Sequence, residues 1–445
     1  MGPIYDKPRG KLSTKKIDAS LRYQIMEVVD QICWIPGFGY ERELDWLINM
    51  RDWMISKKRY WGLALPIYNC QACGSFDVIG GREELKSRAV DGWEKFEGHT
   101  PHRPFVDAVT IACSSCGASV SRIADVGNPW LDAGIVPFST LHYREDPDYW
   151  ANWYPADFIT ESFPGQFRNW FYSMLAMGTV LRREPPFKTI FGYATLFAED
   201  GRPMHKSWGN AIDFDEAAER MGVDVMRWLY TTARPEENIR FGWHAADEVR
   251  RRLLVLWNVY SFFVTYAILG GWAPRSGAGV SSGAVAADAR PPLDRWILSR
   301  AAGLAETAGR EIADYDVLEA MRAVDGFIED LSTWYLRRSR DRMRAGAERA
   351  DRDAAFATLH TVLVVLARIV APVLPFLSET IYQNLIVAVE PGLPDSVHLT
   401  GWPTADTASF RDEPLEASMT VAMRAVEPPR HSMSTGSQPW LLADR

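Results

Sequence analysis

Apolar positions recur at helical spacing from Leu21 (Ile25, Met26, Val29), which predicts a helix starting there. Residues 41–62 are charged and tryptophan-rich, and end in Lys57-Lys58-Arg59-Tyr60-Trp61-Gly62. Residues 63–125 hold short strand-like runs such as Phe76-Asp77-Val78-Ile79. Beyond them, residues 158–160 read as a short buried strand, 170–181 as a helix and 189–196 as another strand. That alternation predicts a parallel, doubly wound α/β sheet. After Phe241 helical periodicity takes over to about residue 388, interrupted by a Gly/Ser/Ala-rich loop at 270–289. Pro291 and Pro292 precede the next helix, and Asp294 is placed to cap it. Residues 1–20 are polar and basic and are predicted to be loosely ordered.

Composition narrows the class. The chain has 445 residues, room for two or three domains with their own cores. Its net charge of -8 gives no overall basic field, so any contact with RNA must come from local patches. No secretory pattern opens the chain. The longest apolar run, residues 253–269, is shorter than the roughly 20 residues of a membrane span and carries Asn258, Ser261 and Thr265. A buried helix, no membrane and a cytoplasmic location are expected.

Five cysteines include two C-x-x-C-Gly repeats, Cys70-Gln71-Ala72-Cys73-Gly74 and Cys113-Ser114-Ser115-Cys116-Gly117. Two thiolates three positions apart on a tight turn bind one face of a tetrahedral zinc, and the glycine permits the left-handed turn that follows. Cys70, Cys73, Cys113 and Cys116 together would close the coordination sphere, making the zinc structural. The 39 residues between the pairs imply an inserted subdomain. Free buried thiols and redox pairs stay open as alternatives. Cys33 is read as an ordinary core thiol.

The stretch Gly201-Arg202-Pro203-Met204-His205-Lys206-Ser207-Trp208-Gly209-Asn210 resembles the Lys-Met-Ser-Lys-Ser loop that class I aminoacyl-tRNA synthetases close over ATP. Asp224-Val225-Met226-Arg227-Trp228-Leu229 resembles the helix that follows that loop in the family. Other segments are similar, in order, to the isoleucyl-tRNA synthetases. Asp52-Trp53-Met54-Ile55-Ser56-Lys57-Lys58-Arg59-Tyr60-Trp61-Gly62 looks like Asp-Trp-Cys-Ile-Ser-Arg-Gln-Arg-Tyr-Trp-Gly. Trp130-Leu131-Asp132-Ala133-Gly134 looks like Trp-Phe-Asp-Ser-Gly. Glu161-Ser162, then Gln166-Phe167-Arg168-Asn169-Trp170-Phe171, look like Glu-Gly-x-Asp-Gln-x-Arg-Gly-Trp-Phe with one residue inserted. The resemblance implies that Glu161 and Gln166 contact the aminoacyl-adenylate: a carboxylate holds an ammonium, and an amide reads polar atoms of the adenylate. It also implies that Gly192, in Phe191-Gly192-Tyr193, lets the backbone approach the nucleotide. Met204, His205, Lys206 and Ser207 would line ATP, with Lys206 as a mobile charge for pyrophosphate, and Lys206 and Ser207 would be catalytic.

Leu331-Ser332-Thr333-Trp334-Tyr335-Leu336-Arg337-Arg338-Ser339-Arg340-Asp341-Arg342 resembles an arginine-rich segment of the same family's anticodon-binding bundle. Arg337, Arg338, Arg340 and Arg342 are the implied tRNA contacts, with pairing to Asp330, Asp341 or Glu329 as the competing use. The resemblance implies a class I catalytic fold over residues 21–240, with a zinc-binding insertion at about 63–125. An all-α anticodon-binding domain follows over 241–426, with its linker at about 270–292. Residues 1–20 and 427–445 fall outside the resemblance. Zinc, ATP with Mg, isoleucine and tRNA(Ile) are the implied cofactor, substrates and partner.

The departures are concrete. Pro203 and His205 replace a lysine and a serine of the loop, Pro164-Gly165 takes the place of an aspartate, and Phe191 replaces a histidine. The family's His-x-Gly-His motif is absent; His99-Thr100-Pro101-His102 has the spacing but no glycine. The expected function is therefore that of an isoleucine–tRNA ligase fragment, needing a separately encoded N-terminal half as partner. A non-catalytic tRNA-binding module and a valyl-type fragment are the alternatives.

Overall fold

The computed structural model describes residues 1–274, 290–389 and 392–426. Most of the predicted linker and the whole 427–445 tail lie outside the described residues. Two compact units are formed: Met1–Thr195 with Pro235–Glu237, and Leu196–Arg234 with Asn238–Arg445.

The first unit is built on a parallel three-stranded sheet, with Phe187–Tyr193 between Cys33–Ile35 and Ala156–Ser162. Parallel neighbours need a crossover, and the helix Trp170–Arg182 supplies it between Ala156–Ser162 and Phe187–Tyr193. Its Phe171, Tyr172, Met174 and Leu175 join Ile25, Met26 and Val29 of the Leu21–Val29 helix in one apolar cluster with Ile159 and Ile190 of the sheet. Arg183 ends the helix in the left-handed region (φ 55°) and pairs with Asp18 at 2.7 Å and Glu27 at 3.1 Å. The opening segment is more ordered than its composition predicts. Thr14–Asp18 is helical, Tyr5 stacks on Tyr23 at 5.5 Å, and the Ser20 hydroxyl donates to the Pro3 carbonyl at 2.9 Å. Those tertiary contacts override its polar, basic character.

Between these elements lies a small subdomain. An Ile67–Asn69/Phe76–Val78 hairpin and an antiparallel sheet of Ala89–Asp91, Thr110–Ala112 and Ser119–Ser121 enclose Tyr68, Ile79, Leu85, Phe96, Val109 and Ile111.

The second unit is mainly helical. Helices Trp243–Leu269, Pro292–Ala313, Val317–Glu329 and Arg349–Val370 share one apolar cluster. Asp213, Asp316 and Glu348 cap the helices Phe214–Met221, Val317–Glu329 and Arg349–Val370 by accepting from backbone N–H groups. Asp294 does not cap: Pro291 holds that position, and the Asp294 carboxylate is fully buried inside the bundle. Trp243–Leu269 and Arg349–Val370 are long and apolar enough to cross a membrane by length and composition. Within this unit the first lays Val249, Leu253, Leu256, Val259 and Phe263 along the common cluster, and the second is buried over most of its length. Leu196–Arg234 packs with the helices rather than with the sheet. Met221, Val225, Met226 and Leu229 enter the helical cluster, and Arg227 donates to the carbonyls of Val373 (2.8 Å) and Pro372 (2.7 Å).

Candidate functional site

Glu161 and Gly192 face each other in register near the carboxyl ends of adjacent parallel strands. Ligands of open α/β sheets bind at that edge. Glu161 is half-buried, and its Oε1 accepts from the Ser162 N–H at 2.8 Å and the Tyr193 hydroxyl at 3.3 Å. Gln166 ends the one-turn helix Phe163–Gln166 that follows the strand. Its Oε1 accepts from the Trp170 N–H at 3.2 Å, so it closes the first turn of the crossover helix.

Gly192 is placed differently from the expected open approach. A Cβ there would lie 1.8 Å from Phe163 Cε1, because the Phe163 ring covers the glycine. That ring is 4% exposed and packs against Phe38, Phe167 and Phe171 at 5.6, 4.9 and 5.9 Å. Phe163 belongs to the stretch with the inserted residue, so the departure from the family pattern and the covering ring coincide. Gly192→Ala is expected to cost roughly 1–3 kcal/mol by overpacking. The penalty should largely vanish in a Phe163→Ala background when both pairs are compared by urea unfolding. An equal penalty in both backgrounds would show that Phe163 is not what the glycine accommodates.

Met204, His205, Lys206 and Ser207 lie in the second unit, while Glu161, Gln166 and Gly192 lie in the first. The loop is shaped from within. Residues Lys206–Trp208 form one tight helical turn that Gly209 closes at φ +69°. Asn210, which motif comparison did not single out as a site residue, clamps the loop. Its Oδ1 accepts from the His205 N–H at 2.9 Å and its Nδ2 donates to the Pro203 carbonyl at 3.0 Å. His205 meets Trp208 edge-on at 4.3 Å. Met204 packs against the helical cluster. Lys206 and Ser207 are exposed, and Lys206 forms no ion pair among the described residues. The geometry is a pinned base carrying a free ammonium.

Cys70, Cys73, Cys113 and Cys116 converge, with all four Sγ atoms within 4.8 Å of one another. Cys70–Cys116 and Cys73–Cys113 stand at 3.6 and 3.7 Å. A tetrahedral ion with metal–sulfur bonds of ~2.3 Å needs sulfur–sulfur edges of ~3.8 Å. The four cysteines are therefore positioned to hold a metal ion. Gly74 and Gly117, at φ +75° and +76°, make the two matching turns. The hydrogen bond to Ser75, reinforced by the Cys116 and Ser115 N–H groups, draws the Cys113 thiol down to about 6. The Ala118 N–H favours the Cys116 thiolate, yet the neighbouring sulfurs of Cys70 and Cys73 push that thiol up to about 12. Four thiolates this close would need a cation among them. Ser75, which carries no motif signal, lies 2.9 Å from Cys73 Sγ and 3.3 Å from Cys113 Sγ. Cys33 is exposed on its edge strand and is not the core thiol expected.

The arginine segment divides. Arg337, Arg338 and Arg340 are exposed. Arg338 lies 3.6 Å over the Trp334 ring and Arg340 5.7 Å from that of Phe262. Arg342 points inward and corrects the expectation that it is available to tRNA. It forms a fork on Asp294 (2.7 and 2.9 Å) and a second contact with Asp351 at 2.7 Å, while Tyr335 donates to Asp294 at 3.0 Å. Burial opposes the Arg342 charge, but the two carboxylates more than reverse that and raise its pKa. Asp330 pairs with Arg300 at 3.0 Å and Asp341 with Arg344 at 3.0 Å, so the predicted partners are partly redistributed. Residues Asp330–Leu336 form a wide π-helical stretch, which periodicity did not foresee.

Residues 14–242 match the family model of tRNA synthetases class I (I, L, M and V), and residues 294–437 match that of the anticodon-binding domain of tRNA ligase. Both matches reach into the terminal segments that motif comparison set aside. The chain is 40% identical over 402 residues to the isoleucine–tRNA ligase of Thermus thermophilus, covering 89% of this chain and 37% of that protein. It is 36% identical over 423 residues to the isoleucine–tRNA ligase of Methanothrix thermoacetophila, covering 94% and 39%. The chain thus spans under two fifths of the length of either relative. Among solved structures, Mycobacterium tuberculosis methionyl-tRNA synthetase bound by methionyl-adenylate aligns with a TM-score of 0.57 at 16% identity, over 85% of this chain and 68% of that one. The leucyl enzyme of Agrobacterium radiobacter K84, in a ternary complex with tRNA and LeuAMS, aligns with a TM-score of 0.57 at 18% identity, over 82% and 43%. At these identities the likeness shows the shared fold.

Proposed function

The chain belongs to the class I tRNA synthetases of the I, L, M and V group, and on that premise we propose that it works in ATP-dependent activation of isoleucine and its transfer to tRNA(Ile) in the cytoplasm. The observation that carries this reading is the likeness to isoleucine–tRNA ligases at 35–40% identity, which runs through the sheet unit, the cysteine subdomain and the helical unit alike.

Each group has a task the chemistry allows. Lys206, free on a pinned loop, holds the charge of pyrophosphate as it leaves Mg-bound ATP, with the Ser207 hydroxyl beside it. Glu161 receives the amino acid's ammonium, and the Gln166 side-chain N–H reads the adenylate. A nucleotide reaching Gly192 would require the Phe163 ring to leave it. Cys70, Cys73, Cys113 and Cys116 hold zinc with no position left for a substrate, so the metal would shape the subdomain rather than take part in transfer. Arg337, Arg338 and Arg340 remain for tRNA phosphates.

A second reading, a tRNA-binding module without turnover, is favoured by Pro203 and His205, which stand in the loop in place of a lysine and a serine. Isoleucine-dependent ATP–pyrophosphate exchange separates the two. The purified chain alone is expected to give no exchange above background. Adding a polypeptide that bears the His-x-Gly-His half should restore it. Robust exchange by the chain alone would remove the need for a partner half, and failure to restore it would favour the binding module.

A further inference from the structure

Arg240 stands at the base of the Lys206 loop with its charge uncommitted. The strand Leu196–Ala198 runs parallel to Ile239–Phe241 with Phe197 opposite Arg240, and on its other side Phe197 bridges antiparallel to Pro203. Residues in register on neighbouring strands share a face, so positions 203 and 240 project from the same side, two strand spacings or ~10 Å apart. The turn leading to Pro203 is tight. Gly201, at φ +81°, donates to the Ala198 carbonyl at 2.8 Å, and Ala198 donates to the Arg202 carbonyl at 2.9 Å. Arg240 covers that turn. A Cβ at Gly201 would lie 3.5 Å from its Nη2 and 3.7 Å from both Cζ and Nε, so the guanidinium lies flat on the glycine. The Arg240 side chain is exposed and forms no hydrogen bond or ion pair among the described residues. The nearby carboxylates are spent elsewhere. Asp200 accepts from the Arg202 Nε at 2.7 Å and the Arg202 N–H at 2.9 Å, contacts that hold its carboxyl below the usual range, and Arg240 adds only a longer-range pull. Glu199 accepts from the Ala245 N–H at 3.0 Å, at the start of the Trp243–Leu269 helix. Gly242 leaves it room to do so, since a Cβ there would sit 2.1 Å from Glu199 Cγ.

We propose that Arg240 is a second phosphate-binding cation of the loop, gripping the pyrophosphate that leaves ATP and supplying the charge that Pro203 lacks. The proposal rests on the tRNA-ligase reading and deepens it. In that reaction an oxygen of the isoleucine carboxylate bonds to the α-phosphorus while the bond from that phosphorus to its bridging oxygen breaks. The bridging oxygen keeps the electron pair and departs as part of Mg-bound pyrophosphate; no proton is transferred. Charge builds on the leaving group, so a cation aimed there favours the transition state over bound ATP. Lys206 offers one mobile point charge, and Arg240 adds a fork set in place by strand pairing, the shape that phosphate oxygens accept in pairs. Arg202 is the other cation beside Pro203, but its guanidinium is committed to Asp200.

The test is isoleucine-dependent ATP–pyrophosphate exchange by the full chain with the supplied His-x-Gly-His half, varying pyrophosphate at saturating ATP and isoleucine. Arg240→Ala should lower kcat/KM for pyrophosphate about 10- to 100-fold, the worth of a hydrogen bond to a charged group. The KM for isoleucine should stay as it is. Arg240→Gln, which keeps a polar side chain over Gly201 without the charge, should lose nearly as much, and Arg240→Lys should keep part of the activity. The deciding variant is Pro203→Lys in the Arg240→Ala background. A lysine on the same face should recover most of the loss, a gain several-fold larger than Pro203→Lys gives in the wild-type background. Asn210 grips the Pro203 carbonyl, so its clamp survives this change. Unchanged pyrophosphate kinetics in Arg240→Ala would overturn the proposal. So would a loss that falls equally on isoleucine and pyrophosphate and that Pro203→Lys does not relieve, the pattern of a structural role. Normal exchange with weakened tRNA binding would overturn it in favour of an RNA contact. No exchange by the wild-type chain with the supplied half would instead sink the ligase reading on which the proposal stands.

Discussion

Arg342→Ala is expected to destabilise the helical unit by roughly 3–5 kcal/mol, the cost of stripping a buried ion pair of one partner. Asp294 is 0% exposed, and in the native protein its carboxylate faces the Arg342 fork and the Tyr335 hydroxyl. Alanine leaves that charge without its fork, with the Tyr335 hydroxyl as donor and the buried Arg290 charge nearby. Arg342→Lys should recover only part of the loss, because a point charge cannot grip Asp294 and Asp351 at once. Arg342→Met with Asp294→Leu should lie well above Arg342→Ala, since removing both charges removes the desolvation penalty. Urea unfolding of the four proteins gives the comparison. Arg337→Ala with Arg338→Ala should behave oppositely, leaving stability nearly unchanged and weakening tRNA binding in a salt-dependent way. A loss below about 1 kcal/mol in Arg342→Ala would place Arg342 among exposed pairs and return it to the RNA-facing set.

That example shows where sequence reading stops. Arg342 sits in an arginine-rich string whose chemistry is uniform on paper. What separates it from Arg338 is Asp294, 48 residues away and brought near only by bundle packing. Asp294 looked like a helix cap because caps are local signals; burial beside Tyr335 is not. Gly192 is a similar case. Glycine at a strand end signals a close approach, but the sequence does not say of what, and here the approaching group is Phe163 from the neighbouring strand's exit loop. Short-range features fared better. The helix at Trp170–Arg182 and the strand at Ala156–Ser162 follow from periodicity within a few residues. The cysteine turns announce themselves through spacing and glycine. Lys206 was legible through its neighbours, while the clamp by Asn210 depends on a contact back to Pro203, seven positions earlier. The link between Asp224 and the Leu377 N–H, 153 residues apart, explains why the segment after the Lys206 loop packs with the helices.

Stripping the metal should have the largest effect on the first unit. The cysteine subdomain encloses only 11 buried residues in its apolar cluster, two of them Cys70 and Cys113 themselves. A core of that size rarely sustains a fold without a staple. Zinc held by four thiolates contributes on the order of 10–16 kcal/mol in small peptides at neutral pH, and that binding energy is folding energy. Metal analysis of the purified chain is expected to find about one zinc per chain. A strong chelator should then expose residues 63–125 to limited proteolysis while the helical unit resists. Cys113→Ser should reproduce the chelated state without any chelator. Ser75→Ala should be milder, lowering metal affinity by about 10- to 100-fold through loss of its contacts to Cys73 and Cys113. Thiol titration supplies the opposing result. Four rapidly reactive thiols in a folded, protease-resistant and metal-free chain would remove the metal site. Disulfides within each C-x-x-C pair would instead make the two turns redox pairs, an outcome that the near-equal 3.6 and 3.7 Å distances between pairs argue against.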